Sequence, residues 1–208
     1  DIRGKRILDF GCGNGDCVDA MVTHGAAKAV GYDINESPDW ENAQGTFTTD
    51  LKTAINNGPF DVVLLYDVLD HMNQDGLGSL LELHKTVKLN TKIYARMHPF
   101  CSRHATHLYE KYNKAYAHLF LTTDEIKAVG GNPDQFYKFV KPMAMYPVIL
   151  EKKLGFKIVN QTPILIRPEP IVEAMIPFTK AWDEYKTEPA AIADNMAIQF
   201  VDFVLKPN

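Results

Sequence analysis

The segment from Arg6 to Gly15 reads R-I-L-D-F-G-C-G-N-G. A short apolar run delivers the carboxyl group of Asp9 and then three alternate glycines, Gly11, Gly13 and Gly15. Glycine lets a backbone turn sharply and approach a ligand closely, and the helix expected from Asp16 aims its N-terminal amides at the same place. The chemistry on offer is the grip of a small polar ligand by main-chain amides, with an acid at hand.

Two kinds of ligand compete for such a loop. A dinucleotide fingerprint wants glycine at the sixth position counted from Gly11, where this chain has Asp16, and an anion there opposes a pyrophosphate. S-adenosylmethionine carries no phosphate. Its carboxylate suits the helix amides, and its ammonium suits an acid such as Asp9. Further acids fall in step with the glycines. Asp33 lies about twenty residues on, the separation at which a carboxylate accepts from both ribose hydroxyls. Asp50 is expected to meet the adenine amino group, with Leu51 against the ring, and Asp67, Val68 and His71 to leave the fourth strand beside the sulfonium. Asp70 reads as a surface or capping acid, and Cys12 and Cys17 as small buried residues.

A second concentration of reactive side chains starts at M-H-P-F-C-S-R-H-A-T-H-L-Y, which supplies His98, Cys101, Arg103, His104, His107 and Tyr109. Open α/β sheets bind ligands beyond the carboxyl ends of their strands, so this stretch is expected to face the methyl donor. His98 or His104 is expected to accept a proton, since imidazole titrates near neutrality. His71, Arg103, His107 and Tyr109 are expected to hold the acceptor, Arg103 by bidentate pairing with a carboxylate or phosphate. His98, Cys101, His104 and His107 also offer metal-binding atoms, but their spacing is no familiar zinc pattern and no metal site is assigned. At least half of these histidines are expected to cap helices or satisfy buried carbonyls. The helical spacing of Tyr109, Tyr112, Tyr116 and Phe120 reads as core packing, and Arg96, within a strand, as the partner of an acid.

The elements that position these groups follow from periodicity. Strands are expected at Ile7–Phe10, Ala29–Ile34, Thr46–Thr49, Phe60–Val68 and Lys92–Met97, with helices at Asp16–His24 and Gly78–Val87. That alternation belongs to a parallel, doubly wound sheet. From Pro99 to about Tyr146 the rhythm breaks, and residues of about 100–146 read as a helical cap inserted after strand five. Pro147–Leu154 looks helical, and Phe156–Ile166 and Ala197–Leu205 look extended, an antiparallel edge pair. The chain reads as one domain, 1–208.

The length of 208 residues and 46% hydrophobic content suit one sizeable core, and the net charge of −4 disfavours a dedicated nucleic-acid binder. Three cysteines without CxxC spacing fit a reducing compartment, and no apolar stretch reaches the length of a membrane span, so a cytoplasmic location is expected. The start at Asp1, a few residues before the first strand, suggests an excised or processed chain lacking a leading helix.

Through L-D-F-G-C-G-N-G, G-Y-D-I and F-D-V-V-L-L-Y-D-V-L-D-H, residues 6 to about 99 resemble the class I S-adenosylmethionine-dependent methyltransferase family. The resemblance implies a Rossmann-like α/β fold with helices on both faces of a seven-stranded sheet of order 3-2-1-4-5-7-6, strand seven antiparallel. It implies S-adenosylmethionine as cofactor, held by Asp9, Gly11, Cys12, Gly13, Asn14, Asp33, Ile34, Asp50, Leu51, Tyr66, Asp67 and Val68. The His and Tyr run of the insert is also similar to uncharacterised bacteriophage-borne methyltransferase-like proteins, which would imply a viral origin. A small-molecule acceptor is favoured. Where amino-methylating nucleic-acid enzymes carry [ND]-P-P-[YFW], this chain has Asp67-Val68-Leu69-Asp70. Two other readings stand beside it: a methyltransferase-like binding module without catalysis, and a nucleic-acid-modifying domain, for which Lys111, Lys114, Lys138 and Lys141 would form one basic face.

Overall fold

Alternate side chains of β1 (Arg6–Phe10) enter two different cores. Ile7 packs with Val18 and Met21 of α1 (Asp16–Thr23), whereas Leu8 and Phe10 pack on the opposite side with Ala54 of α2 (Leu51–Asn56) and Leu80 and Leu83 of α3 (Gln74–Thr86). Strand side chains alternate across a sheet, so a strand read by helices on both faces must be apolar throughout. The computed structural model describes residues 1–105, 108, 112, 114–133, 140–178 and 195–208, and all of their side chains except that of Gln74.

The remaining strands are β2 (Lys28–Tyr32), β3 (Thr46–Thr48), β4 (Val62–Tyr66), β5 (Lys92–Met97), β6 (Phe156–Leu165) and β7 (Ile198–Pro207). They form one seven-stranded sheet in the order β3-β2-β1-β4-β5-β7-β6. β1 to β5 run parallel, and β7 is antiparallel to both β5 and β6. The order and the antiparallel seventh strand are those implied by the family resemblance. Val63 and Leu65 of β4, Ile93, Ala95 and Met97 of β5, and Val201, Phe203 and Leu205 of β7 extend the larger core, which a helix at Met145–Val148 and the π-turn after it, Ile149–Lys153, close with Tyr146, Ile149 and Leu150.

α3 begins four residues earlier than its apolar spacing predicts. Asn73 caps it, its side-chain oxygen accepting from Gly76 N at 3.0 Å, and the low helix propensity of Gly76 and Gly78 hides that first turn from a periodicity reading. α2 was not expected. Its start is set by Asp50, discussed below.

The described part of the insert builds a third apolar cluster, from Phe100, Cys101, Ala105, Leu108, Tyr116, Leu119, Ile126, Val140 and Met196. The Tyr146 hydroxyl ties the far end of the insert to the end of β5 by donating to His98 O at 2.8 Å, and Phe100 N donates to Lys141 O at 3.0 Å within the insert. His118 is buried and its Nε2 donates to Phe100 O at 2.7 Å, with desolvation pushing its pKa down to about 4, so this histidine satisfies a buried carbonyl as a neutral ring. Of the aromatic stripe, Tyr116 is core, but Tyr112 is exposed and Tyr109 lies outside the described residues. Cys12 is buried, whereas Cys17 is exposed on the first turn of α1, correcting the expectation of burial: Val18 and Met21, one and four residues on, take the inward face.

Candidate active site

All three loop glycines adopt left-handed backbone, with φ of 84° at Gly11, 52° at Gly13 and 95° at Gly15. At Gly11 a second requirement operates, because an added Cβ would lie 2.5 Å from Val68 Cγ2. At Gly13 nothing lies within 4 Å of such an atom, so the space beside it is open. Gly11 N and Cys12 N donate to Tyr32 O at 2.7 and 3.0 Å, binding the loop to the end of β2. Gly13 N donates to Asp33 Oδ2 at 3.0 Å, and Asn35 N to Asp33 Oδ1 at 3.0 Å, so Asp33 is held by main-chain amides on both oxygens. Asn14 turns outward and donates to Asp16 Oδ2 at 2.8 Å.

Beyond the carboxyl ends of β1, β2 and β4 opens a cleft of about 570 Å³. Of the residues expected to hold the cofactor or acceptor, Gly11, Asp33, Ile34, Asp67, Val68 and His71 line it. Phe10, Tyr32, Asn35, Met72, Asn73, Asp75, Gly76 and Ser79 line it as well and were missed. Their signal in the sequence was the small-residue run Gly76-Leu-Gly-Ser79, which costs helix propensity and is explained by the room it leaves. Asp50 and Leu51 are not among the lining residues. Asp50 Oδ2 accepts from Thr53 N at 2.8 Å and from the Thr53 hydroxyl at 2.5 Å, which caps α2 and lowers the carboxyl pKa. Tyr66 also stays off the cleft, its ring centroid 5.5 Å from the Arg96 guanidinium. Arg96 in turn makes a bidentate pair with Asp202 at 2.7 and 2.8 Å, the acid expected of it.

Asp9 immediately precedes the lining residues Phe10 and Gly11. It is 5% exposed, and desolvation, helped by the charge of Asp33, pushes its pKa up to about 7. Among the described residues no donor hydrogen-bonds its carboxyl group. A buried acid in that condition fits a site completed by a cation.

The other wall of the cleft is set by Asp67, which follows β4 with a φ of 54°, unusual for a residue bearing a Cβ. Its backbone N donates to Arg96 O at 2.8 Å, which brings the ends of β4 and β5 together. Asp67 Oδ1 stands 4.0 Å from His98 Nε2. Asp70 Oδ2 accepts from His98 N at 3.2 Å, and the His98 ring contacts the Ser102 hydroxyl through Nδ1 at 3.3 Å and packs 4.3 Å from the Phe200 ring. Asp70 is only 1% exposed, which corrects its reading as a surface acid: the turn Leu69–His71 folds it inward toward β5. His71 is pushed below its ordinary pKa, by desolvation against which Asp67 acts.

The two histidines offered as proton acceptors part company here. Neither lines the cleft, but His98 stands beside Asp67, which does, whereas His104 neighbours His118 and Glu169. Arg103 donates to Glu169 in an ion pair and is likewise off the cleft. His107 and Tyr109 lie outside the described residues, as do Lys111 and Lys138.

A profile described as a methyltransferase domain matches residues 1–123. The chain belongs to this methyltransferase family. The cofactor of the family is S-adenosylmethionine. Among curated relatives, the ubiquinone biosynthesis O-methyltransferase of Neisseria meningitidis serogroup C (strain 053442) is 42% identical over 57 residues, 27% of this chain and 21% of that protein. The ribosomal protein L11 methyltransferase of Klebsiella pneumoniae (strain 342) is 51% identical over 35 residues, 17% of this chain and 12% of that protein. The matched part is therefore 21% and 12% of those relatives' length. A methyltransferase of Archaeoglobus fulgidus described as S-adenosylmethionine-dependent shares the fold at a TM-score of 0.58 and 18% identity, over 99% of this chain and 87% of that one. Among the described residues no helix is long and apolar enough to cross a membrane.

Proposed function

We propose that this chain binds S-adenosylmethionine in the cleft beside the glycine loop and catalyses transfer of its methyl group to a small-molecule acceptor. The observation that carries this reading is the charge of the site. Asp33, Asp67 and Asp75 line the cleft and buried Asp9 adjoins it, while among the described residues no Lys or Arg lines it. Such a site selects a cationic ligand and repels a pyrophosphate.

When bound, S-adenosylmethionine supplies a methyl group on a sulfonium, an already activated leaving group. Asp9 would take the ammonium, the amides around Gly11 to Asn14 the carboxylate, and Asp33 the ribose hydroxyls, exchanging its bond from Gly13 N for theirs. Ile34, exposed on the cleft wall, offers apolar surface to the base. Val68 packs against Gly11 and fixes the distance between the loop and the acceptor side. Catalysis then rests mainly on holding the acceptor in line at near-attack distance. Of the two candidate histidines, His98, beside the cleft residue Asp67, is the one that the geometry favours on the acceptor side. The small-molecule reading draws on the Neisseria relative, named for ubiquinone biosynthesis, and on the chain's net charge of −4.

Calorimetric titration with S-adenosylmethionine, S-adenosylhomocysteine and NAD tests the reading. Binding of the first two and not the third is expected, with Asp33→Ala weakening both by about 1.5–3 kcal/mol. Equal affinity in the variant and the parent, or a preference for NAD, would overturn it.

A further inference from the structure

Asp67 and Asp70 lie on the turn after β4, and His98 lies at the end of β5, 28 residues beyond Asp70. The fold places one carboxylate oxygen of each acid and one imidazole nitrogen all within 4.8 Å of one another. We infer that these three side chains form a divalent-cation site on the acceptor wall of the cleft. The inference rests on the proposed function only for what the cation does, not for whether it binds.

The geometry suits an ion. An octahedral cation with bonds of about 2.1 Å sets its ligand atoms roughly 3 Å apart when adjacent and about 4.2 Å apart when opposite. The Asp67 Oδ1 to His98 Nε2 separation of 4.0 Å lies inside that range, and the 4.8 Å limit of the set closes to it with small side-chain rotations. The donors come from different elements held in register: Asp67 N bonds to Arg96 O, and Asp70 to His98 N, so β4 and β5 cannot drift apart without breaking both. His98 is 6% exposed and Asp70 1%, a rigid inner pair, while the side chain of Asp67 is 44% exposed and opens on the cleft.

Two carboxylates and an imidazole, with no thiolate, suit a first-row divalent cation better than Mg²⁺, which prefers oxygen alone, and Mn²⁺ is the spectroscopic probe of that class. Three protein donors leave coordination positions open. Because Asp67 lines the cleft, those positions border the space for the acceptor, which makes an acceptor with an oxygen donor the class that this wall would hold. His98 then serves as a ligand, and not as the proton acceptor that its sequence position suggested.

The test is titration of Mn²⁺ into the chelator-stripped protein, with free Mn²⁺ read by electron paramagnetic resonance and S-adenosylmethionine affinity measured separately by calorimetry. One tight Mn²⁺ per chain is expected, weakened at least tenfold in Asp67→Asn, Asp70→Asn and His98→Gln, and unchanged in Glu82→Gln, an exposed carboxylate on α3. Asp67→Asn is the decisive variant, since its half-exposed side chain can change without unfolding the protein. Absence of Mn²⁺ binding, or parental affinity in Asp67→Asn, would overturn the cation site and leave the cofactor reading intact. Mn²⁺ binding without S-adenosylmethionine binding would support the site and overturn the cofactor reading.

Discussion

Replacing Asp9 with Asn should make the protein more stable and a worse enzyme at the same time. Asp9 is 5% exposed and its pKa stands at about 7 against an ordinary 3.8. The folded state therefore holds a proton more readily than the unfolded one. The stability this contributes is fully present below pH 3.8 and is lost as the pH rises to about 7. Above that pH the empty site carries a buried charge. The shift corresponds to at most ~4 kcal/mol. Part of it comes from Asp33, which is incompletely buried and screened by solvent, so a gain of about 1–3 kcal/mol is expected for Asp9→Asn at pH 8 in the absence of ligand. Cofactor affinity should move the other way, by about 1.5–3 kcal/mol, because a charge-assisted contact to the ammonium is gone. Urea denaturation of parent and variant from pH 5 to 8 gives the first quantity and calorimetry the second. A difference in stability that does not grow with pH, or a variant less stable than the parent at pH 8, would refute the reasoning.

Gly11→Ala and Gly13→Ala should separate folding from binding. Both place Ala in left-handed backbone, which costs about 1–2 kcal/mol; the first also forces Cβ against Val68 and is expected to lose more than that in thermal melts, whereas the second meets open space, loses only the strain, and should weaken the cofactor at least as much. Asp202→Asn removes the bidentate partner of Arg96, and since each side chain is 33% exposed the loss in chemical denaturation should be about 1–2 kcal/mol, short of a fully buried pair. His104→Ala should leave S-adenosylmethionine affinity unchanged by calorimetry, because the side chain does not line the cleft.

The glycine loop and the acids around it were legible because they are local. Asp9 and the glycines sit in one strand and turn, and Asp33 follows at the end of the next strand, so spacing alone carries the argument. The apolar run of β4 and the alternation through β5 likewise carried the sheet, and family resemblance supplied the strand order. The acceptor side was not legible, for a physical reason. Whether His98 or His104 faces Asp67 depends on where the chain turns after β5, and that turn is fixed by Tyr146 and Lys141, over forty positions away along the sequence, through bonds to His98 and Phe100. Asp70 looked like a surface acid because nothing in V-L-D-H distinguishes a turn that folds inward. Asp50 has a role its place in the sequence did not show: it caps a helix too short for periodicity to reveal.

β7 is the final strand along the chain, yet it lies between β5 and β6. Arg96 and Asp202, which mark its seam with β5, are 106 residues apart. Closing so long a loop comes late in folding, because its entropy must be spent before the seam yields any contact. During synthesis the first five strands can pair in order as they emerge, while β5 keeps one bare edge until β7 arrives. An unpaired edge invites pairing with another chain. Every described residue lining the cleft falls between Phe10 and Ser79, made before β5 and β7, so a ligand that grips the cleft could steady the open half-sheet through the interval in which aggregation threatens most.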